Sequence, residues 1–180
     1  MNEPPELSEK SVLQTERFRV VEIDQSLPEG GIRRRHAIRH PGSVVILPLI
    51  DENHVCLIRN FRVSVAQWLL ELPAGTLEPN EPPLECAKRE LVEETGYRSN
   101  HLRPLCRFYA APGILDEFMH LFVADQLSEG DPEREPGELI QNVVVTWDEV
   151  TRLLAAGEIV DAKTIIGLQT YLLQHGRGQL

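Results

Sequence analysis

Three glutamates in Arg89-Glu90-Leu91-Val92-Glu93-Glu94 carry the most pointed chemistry in this 180-residue chain. Residues three and four apart on a helix share a face, so Glu90, Glu93 and Glu94 project to nearly the same side. Leu84, Ala87 and Leu91 form a neighbouring apolar stripe that can dock the helix. Carboxylates crowded in this way repel unless water screens them or a cation joins them, and hard divalent ions take oxygen ligands of this kind. Mg²⁺ is the natural candidate, with Mn²⁺ as a substitute. Taken alone, these residues also fit a solvated charged helix face in which Arg89 pairs with neighbouring glutamates.

The residues upstream separate the two readings. Gly75-Thr76-Leu77-Glu78-Pro79-Asn80-Glu81 is followed, after seven residues, by Arg89-Glu90-Leu91-Val92-Glu93-Glu94-Thr95-Gly96-Tyr97. This run resembles the signature of the Nudix hydrolases, GX5EX7REUXEEXGU, with all seven fixed positions present over 23 residues. It departs only in holding aromatic Tyr97 where an aliphatic residue is usual. The resemblance implies metal-dependent cleavage of a nucleoside diphosphate compound at its pyrophosphate. It makes Glu90, Glu93 and Glu94 the metal carboxylates, with the Ala74 carbonyl as a further ligand. Glu81 is then the supporting box glutamate and Arg89 the arginine that orients the carboxylates. Gly75 and Gly96 take backbone roles, for which freedom at positive φ is a physical reason.

The flanks point to one branch. Trp68, Glu71 and Leu72-Pro73-Ala74-Gly75 resemble the ADP-ribose pyrophosphatases, as does Pro112, fifteen residues after Tyr97. The likeness continues through Ala111-Pro112-Gly113-Ile114-Leu115-Asp116-Glu117, a loop beside the ligand in relatives. It also includes Gly157-Glu158-Ile159-Val160-Asp161-Ala162-Lys163-Thr164, which is similar to the entry of the family's C-terminal helix, and it covers about residues 17–174. Arg59-Asn60-Phe61-Arg62 resembles a Gln-Tyr-Arg type segment whose arginine contacts substrate phosphates; Arg62 takes that role, and its planar fork suits phosphate oxygens. Asn60 stands where glutamine is usual. The implied substrate-binding set is Arg62, Glu71, Arg39, Trp68 and Gly113. Arg39 comes from the basic group Arg33, Arg34, Arg35 and Arg39, of which strand alternation lets only some face a ligand; a solvated, edge-protecting strand is the alternative.

In this branch the general base is often a glutamate from a mobile loop before the last strand. Glu138 matches best because Leu139-Ile140 begins that strand, with Glu135 and Glu133 next. The implied catalytic set is Glu138, Glu93 and Arg89, and the implied products from ADP-ribose are AMP and ribose 5-phosphate. GDP-mannose, a dinucleoside polyphosphate or a nucleoside triphosphate are alternative substrates within the family. A non-hydrolytic ADP-ribose-binding module is the alternative of another class. Relatives are commonly homodimers with exchanged N-terminal strands, so a homodimer is expected here.

The elements that must hold these residues alternate along the chain. Phe18–Ile23 and Arg33–Ile38 read as a hairpin across the turn-forming Leu27-Pro28-Glu29-Gly30-Gly31. Val44–Leu49 and Val55–Arg59 are dense in branched residues and suit strands covered on both faces. Trp68–Leu72 and stretches near 103–111, 118–125 and 139–146 complete the strands. Pro82-Pro83 opens the carboxylate helix and Gly96 closes it. Thr146-Trp147-Asp148-Glu149 matches a capping box for a helix to about Ala156, and Asp161 can cap a last helix. The expected fold is α/β, an α/β/α sandwich of mixed sheet with an N-terminal antiparallel hairpin. Residues 1–16 read as a flexible arm, 17–40 as the hairpin serving dimerisation and nucleoside contact, and 41–180 as the hydrolase domain.

Composition bounds the rest. A net charge of −10 argues against a nucleic-acid partner, which would need clustered cations on one face. No run of eighteen apolar residues suggests a membrane span. Cys56, Cys86 and Cys106 are odd in number and lack metal-site spacing, which suits a reducing cytoplasm.

Overall fold

A Gly-rich turn between two strand-forming runs opens the first sheet. β2 (Arg19–Ser26) and β3 (Ile32–Arg39) pair antiparallel from Arg19 opposite Arg39 to Ser26 opposite Ile32. Gly30 and Gly31 turn the chain between them with φ of 90° and 95°, values a side chain resists. The computed structural model in which this is seen describes residues 5–134 and 137–176. The chain divides into two units, Met1–Gly42 with Tyr109–Phe118, and Ser43–Phe108 with Met119–Leu180.

In the first unit, the expected arm is a strand over most of its described length. β1 (Leu7–Gln14) pairs antiparallel with the free edge of β2. All of its residues are exposed, so it has no buried face and therefore no apolar alternation to read in the sequence. Backbone pairing holds it, helped by Glu9, which accepts two hydrogen bonds from Arg39. The 109–118 segment lies along β3: Ile38 N donates to Ile114 O at 2.8 Å and Asp116 N donates to Ile38 O at 3.1 Å.

The second unit is built on β4 (Ser43–Pro48), buried at every position. It is antiparallel to β7 (Ala74–Thr76) and parallel to β9 (Phe118–Asp125), with β8 (His101–Tyr109) outside β9. Both faces of β4 are covered, as its run of branched residues requires. Val44 and Ile46 meet Cys86, Ala87 and Leu91 of α1 (Pro83–Thr95). Val45 and Leu47 meet the larger core, with Val55 and Leu57 of β5 (His54–Arg62), Trp147, Val150 and Leu153 of α2 (Trp147–Ala155), and Leu168, Tyr171 and Leu172 of α3 (Ala162–Gln174). β5 is the middle strand of a second sheet between β6 (Gln67–Glu71) and β10 (Ile140–Thr146). The result is the expected mixed α/β fold with an antiparallel N-terminal sheet.

Caps form where the sequence places them. Pro82 is the N-cap of α1, with Pro83 as first helical residue, and Gly96 ends it at φ 80°. Thr146 accepts from Glu149 N at 3.1 Å, but the Glu149 carboxylate pairs with Arg152 instead of closing the box. Asp161 caps α3 by accepting from Thr164 N at 3.0 Å. One apolar expectation fails: Leu84, in the first turn of α1, is exposed, and Cys86 joins Ala87 and Leu91 in the docking stripe. No helix among the described residues is long and apolar enough to cross a membrane.

Candidate active site

Helix α1 docks through its apolar stripe, and that docking takes two of its glutamates out of water. Glu90 is 8% exposed and Glu94 is 5% exposed, whereas Glu93 lies nearer the surface. Burial disfavours the charged form, pushing the carboxyl of Glu90 up to about 7 and that of Glu94 up to about 8. Arg89 pulls Glu90 the other way, and the charges of Glu138 and of neighbouring glutamates add to the rise. A buried group of this kind is stabilised by a cation, and two adjacent carboxylates beside the main chain of β7 are a hard-oxygen donor set that fits Mg²⁺. Among the described residues no three acidic, His or Cys side chains are already drawn into a coordination shell. Their oxygens instead have protein partners.

Those partners define the geometry. Arg89 donates from Nε and Nη2 to both oxygens of Glu81, at 2.9 and 3.0 Å, and from Nη1 to Glu90 at 2.7 Å and Glu93 at 2.8 Å. One guanidinium thus sets the orientation of three carboxylates, and it holds the Glu81 carboxyl down at about 2. Glu94 accepts from Ala74 N at 2.8 Å, which brings Ala74 and the carboxylate helix together. Gly75 has a different reason from the one expected. Its backbone is not in the left-handed region; instead, a Cβ at this position would fall inside the Glu90 carboxylate. Gly75→Ala is therefore expected to move the end of a flexible side chain and not the backbone. Metal-dependent turnover should fall about 100-fold while Tm shifts by less than about 2 °C. Rate assays beside thermal melts check this; an unchanged rate would show that the Glu90 position does not matter.

Arg62 and Trp68 stand on the paired strands β5 and β6. Arg62 forks onto Glu71 through Nε and Nη2, at 2.8 and 2.6 Å, and its charge and that of Glu94 influence each other. Trp68 is exposed, edge-on to Phe61, with the Arg59 guanidinium over its ring. Glu71 departs from expectation in its setting: it is fully buried, with Arg62 on both oxygens and Lys163 on one, and it backs Arg62. Arg39 and Gly113 come together in the first unit, lining a cavity of about 150 Å³ with Tyr109, Pro112 and Asp116. Arg39 there donates to Glu9 and Asp116.

The loop before β10 is tied to the end of α1. Arg134 donates to the Glu94 carbonyl at 3.1 and 3.0 Å and to Asn142 Oδ1, and Asn142 donates to the Thr95 carbonyl at 2.7 Å. These are last-turn carbonyls that lack helical partners, at the negative end of the helix. Arg134, Asn142 and Lys163 were missed in the sequence. A signal for Arg134 was present, because α1 has no basic residue in its own last turn. Past this tie, Glu138 is exposed, and its charge is felt at both Glu90 and Glu94. Glu133 is engaged by Arg98 at 2.8 Å, and Glu135 lies outside the described residues.

The chain is similar to known proteins over most of its length. The NUDIX domain matches residues 39–166. An ADP-ribose pyrophosphatase of Bacillus subtilis strain 168 is 35% identical over 170 residues, covering 91% of this chain and 92% of that protein. A GDP-mannose pyrophosphatase of Cronobacter sakazakii is 35% identical over 144 residues, 73% of each chain. A crystal structure of an ADP compounds hydrolase superposes with a TM-score of 0.83 at 25% identity, covering 98% of both chains. With its box intact and its carboxylates gathered at the end of β7, the chain belongs to the Nudix family, as a phosphoanhydride hydrolase allied to the ADP-ribose pyrophosphatases.

Proposed function

We propose that this enzyme hydrolyses the pyrophosphate bond of ADP-ribose or a related nucleoside diphosphate sugar with Mg²⁺, or Mn²⁺ in its place, giving a nucleoside monophosphate and a sugar phosphate. From ADP-ribose these are AMP and ribose 5-phosphate. The observation that carries the reading is the buried Glu90 and Glu94 pair against Ala74, with Arg62 close enough for its charge to reach Glu94. Glu90, Glu93, Glu94 and the Ala74 carbonyl would hold Mg²⁺, which neutralises charge on the phosphoryl oxygens when bound. Arg89 aims Glu90 and Glu93; Arg62 binds the phosphates through the edge that Glu71 leaves open. Trp68 offers an exposed ring for a base or sugar, and Arg39 and Gly113 serve the nucleoside end.

Glu138 is the general base of this reading. Among the described loop glutamates it is the one whose charge reaches both Glu90 and Glu94. Glu138→Gln is expected to lower kcat about 100- to 1,000-fold with KM and Tm little changed. Unimpaired kcat would remove Glu138 from the reaction and leave the metal residues untouched.

GDP-mannose is the second substrate to test, on the strength of the relative in Cronobacter sakazakii named for it. Turnover of ADP-ribose, GDP-mannose, UDP-glucose, NADH and diadenosine polyphosphate, with products identified, ranks the substrates. Highest kcat/KM for a nucleoside diphosphate sugar supports the reading; highest for a dinucleoside polyphosphate refutes it. The intact carboxylate box weighs against a non-hydrolytic binding module. The functional unit of this reading is a homodimer with exchanged N-terminal strands, working in the cytoplasm. Light scattering at assay concentration tests the dimer, and a monomer would exclude it.

A further inference from the structure

The turn Asp161-Ala162-Lys163-Thr164 at the start of α3 does more than cap a helix. Its side chains reach across to the end of β6. Lys163, 8% exposed, donates to Glu71 Oε2 at 2.5 Å and pairs with Asp161 at 3.0 Å. Thr164 Oγ1 donates to Asp161 at 2.6 Å and accepts from Leu72 N at 2.7 Å. The turn therefore grips two consecutive residues, Glu71 by its carboxylate and Leu72 by its amide.

What lies on either side of that grip matters. Glu71 is 0% exposed and is the carboxylate on which Arg62 is forked, and Lys163 shares the oxygen that accepts Arg62 Nη2. Two residues beyond Leu72 comes Ala74, whose amide donates to Glu94. The fork already sets the Glu71 carboxylate coplanar with the Arg62 guanidinium, but a glutamate buried with that one cation would draw off most of the arginine's charge. A second cation on Oε2 shares the carboxylate's charge and anchors the pair to the start of α3.

We propose that Lys163 is a positioning residue for substrate phosphate recognition: held by Asp161, it fixes Glu71, and Glu71 presents the Arg62 guanidinium with Nη1 as the edge left to an anionic ligand. This rests on the reading that Arg62 meets the phosphates. It makes Glu71 and the Asp161–Thr164 turn parts of the specificity apparatus and not a buried charge cluster that serves stability alone.

A double-mutant cycle tests it, run on whichever compound of the substrate panel the wild-type enzyme cleaves fastest. Lys163→Met is expected to raise KM about tenfold with kcat within about threefold, the loss of one charge-assisted contact relayed through Arg62. Arg62→Ala should raise KM more, and the Arg62→Ala, Lys163→Met double variant should be no worse than Arg62→Ala within about twofold. Losses that multiply in the double variant would overturn the proposal, because a purely structural role acts whether or not Arg62 is present. Where Lys163→Met does not fold, Glu71→Gln keeps the shape, removes the charge and should show the same KM rise and the same non-additivity. If the wild type cleaves no compound in the panel, the proposed function falls, and a crystal structure of the Lys163→Met chain still decides the positioning role. An Arg62 fork displaced from its wild-type place supports it; an unmoved one overturns it.

Discussion

Replacing Glu94 by Gln is expected to lower Mg²⁺-dependent kcat about 1,000-fold or more, while leaving the metal-free fold at least as stable as the wild type. The activity loss follows from the chemistry of the donor set, since a neutral amide is a poor ligand for a hard cation and the remaining carboxylates hold it less firmly. The stability effect has a sign that depends on pH. Burial raises the Glu94 carboxyl from 4.5 to about 8, so the folded chain binds the proton more tightly than the unfolded chain does. Folding is then helped by that protonated carboxyl below about pH 4.5, and the benefit is lost as pH rises toward 8. Gln needs no proton and still accepts from Ala74 N. Without divalent cations, the variant should match the wild type near pH 4.5 and melt several degrees higher near pH 8.5. With Mg²⁺ the order should reverse, because the wild type binds the ion more tightly and gains more from it. Full Mg²⁺-dependent turnover in Glu94→Gln would remove the metal assignment.

Arg89→Ala is expected to damage both fold and activity. Its guanidinium binds Glu81, Glu90 and Glu93 and also donates to the Thr76 carbonyl, so its removal leaves three partly buried carboxylates without their shared partner. The cost is about 3 kcal/mol, a fall in Tm of about 10 °C for a chain of this size. Turnover should fall about 100-fold, because Glu90 and Glu93 lose the group that aims them. Arg89→Lys should recover little of either, since an ammonium cannot fork onto Glu81 while reaching the other two. Thermal melts and initial rates on both variants check this. Recovery by lysine would show that charge alone matters at this position.

Much of the site's framework was legible because local rules fix it. The spacing of Glu90, Glu93 and Glu94, the paired prolines before α1 and Gly96 after it act over one or two helical turns, and the observed elements follow them. The β2–β3 hairpin was legible for the same reason: its turn residues are adjacent to the strands they join.

What escaped was decided by partners distant in sequence. β1 has no buried face, so its strand nature comes only from the edge of β2. Glu71 reads by type and place as a substrate-binding residue, but Lys163, 92 positions later, donates to its oxygen. Arg134 reaches back 40 positions to the last turn of α1, which has no cation of its own. Gly75 was recognisable as a required glycine, but its cause is the Glu90 carboxylate occupying the space of its Cβ, not a positive φ. In each case the residue type was visible and the partner was not, because no local period links them.

A carboxylate helix that serves pyrophosphate cleavage with Mg²⁺ must depend on that ion for product release. The measurement incubates the 180-residue chain with ADP-ribose, with Mg²⁺ or with excess EDTA, and resolves the products. AMP and ribose 5-phosphate released in equal amounts with Mg²⁺, and neither with EDTA, is the predicted result. ADP-ribose bound but left intact in Mg²⁺, or cleaved equally well in EDTA, would contradict it.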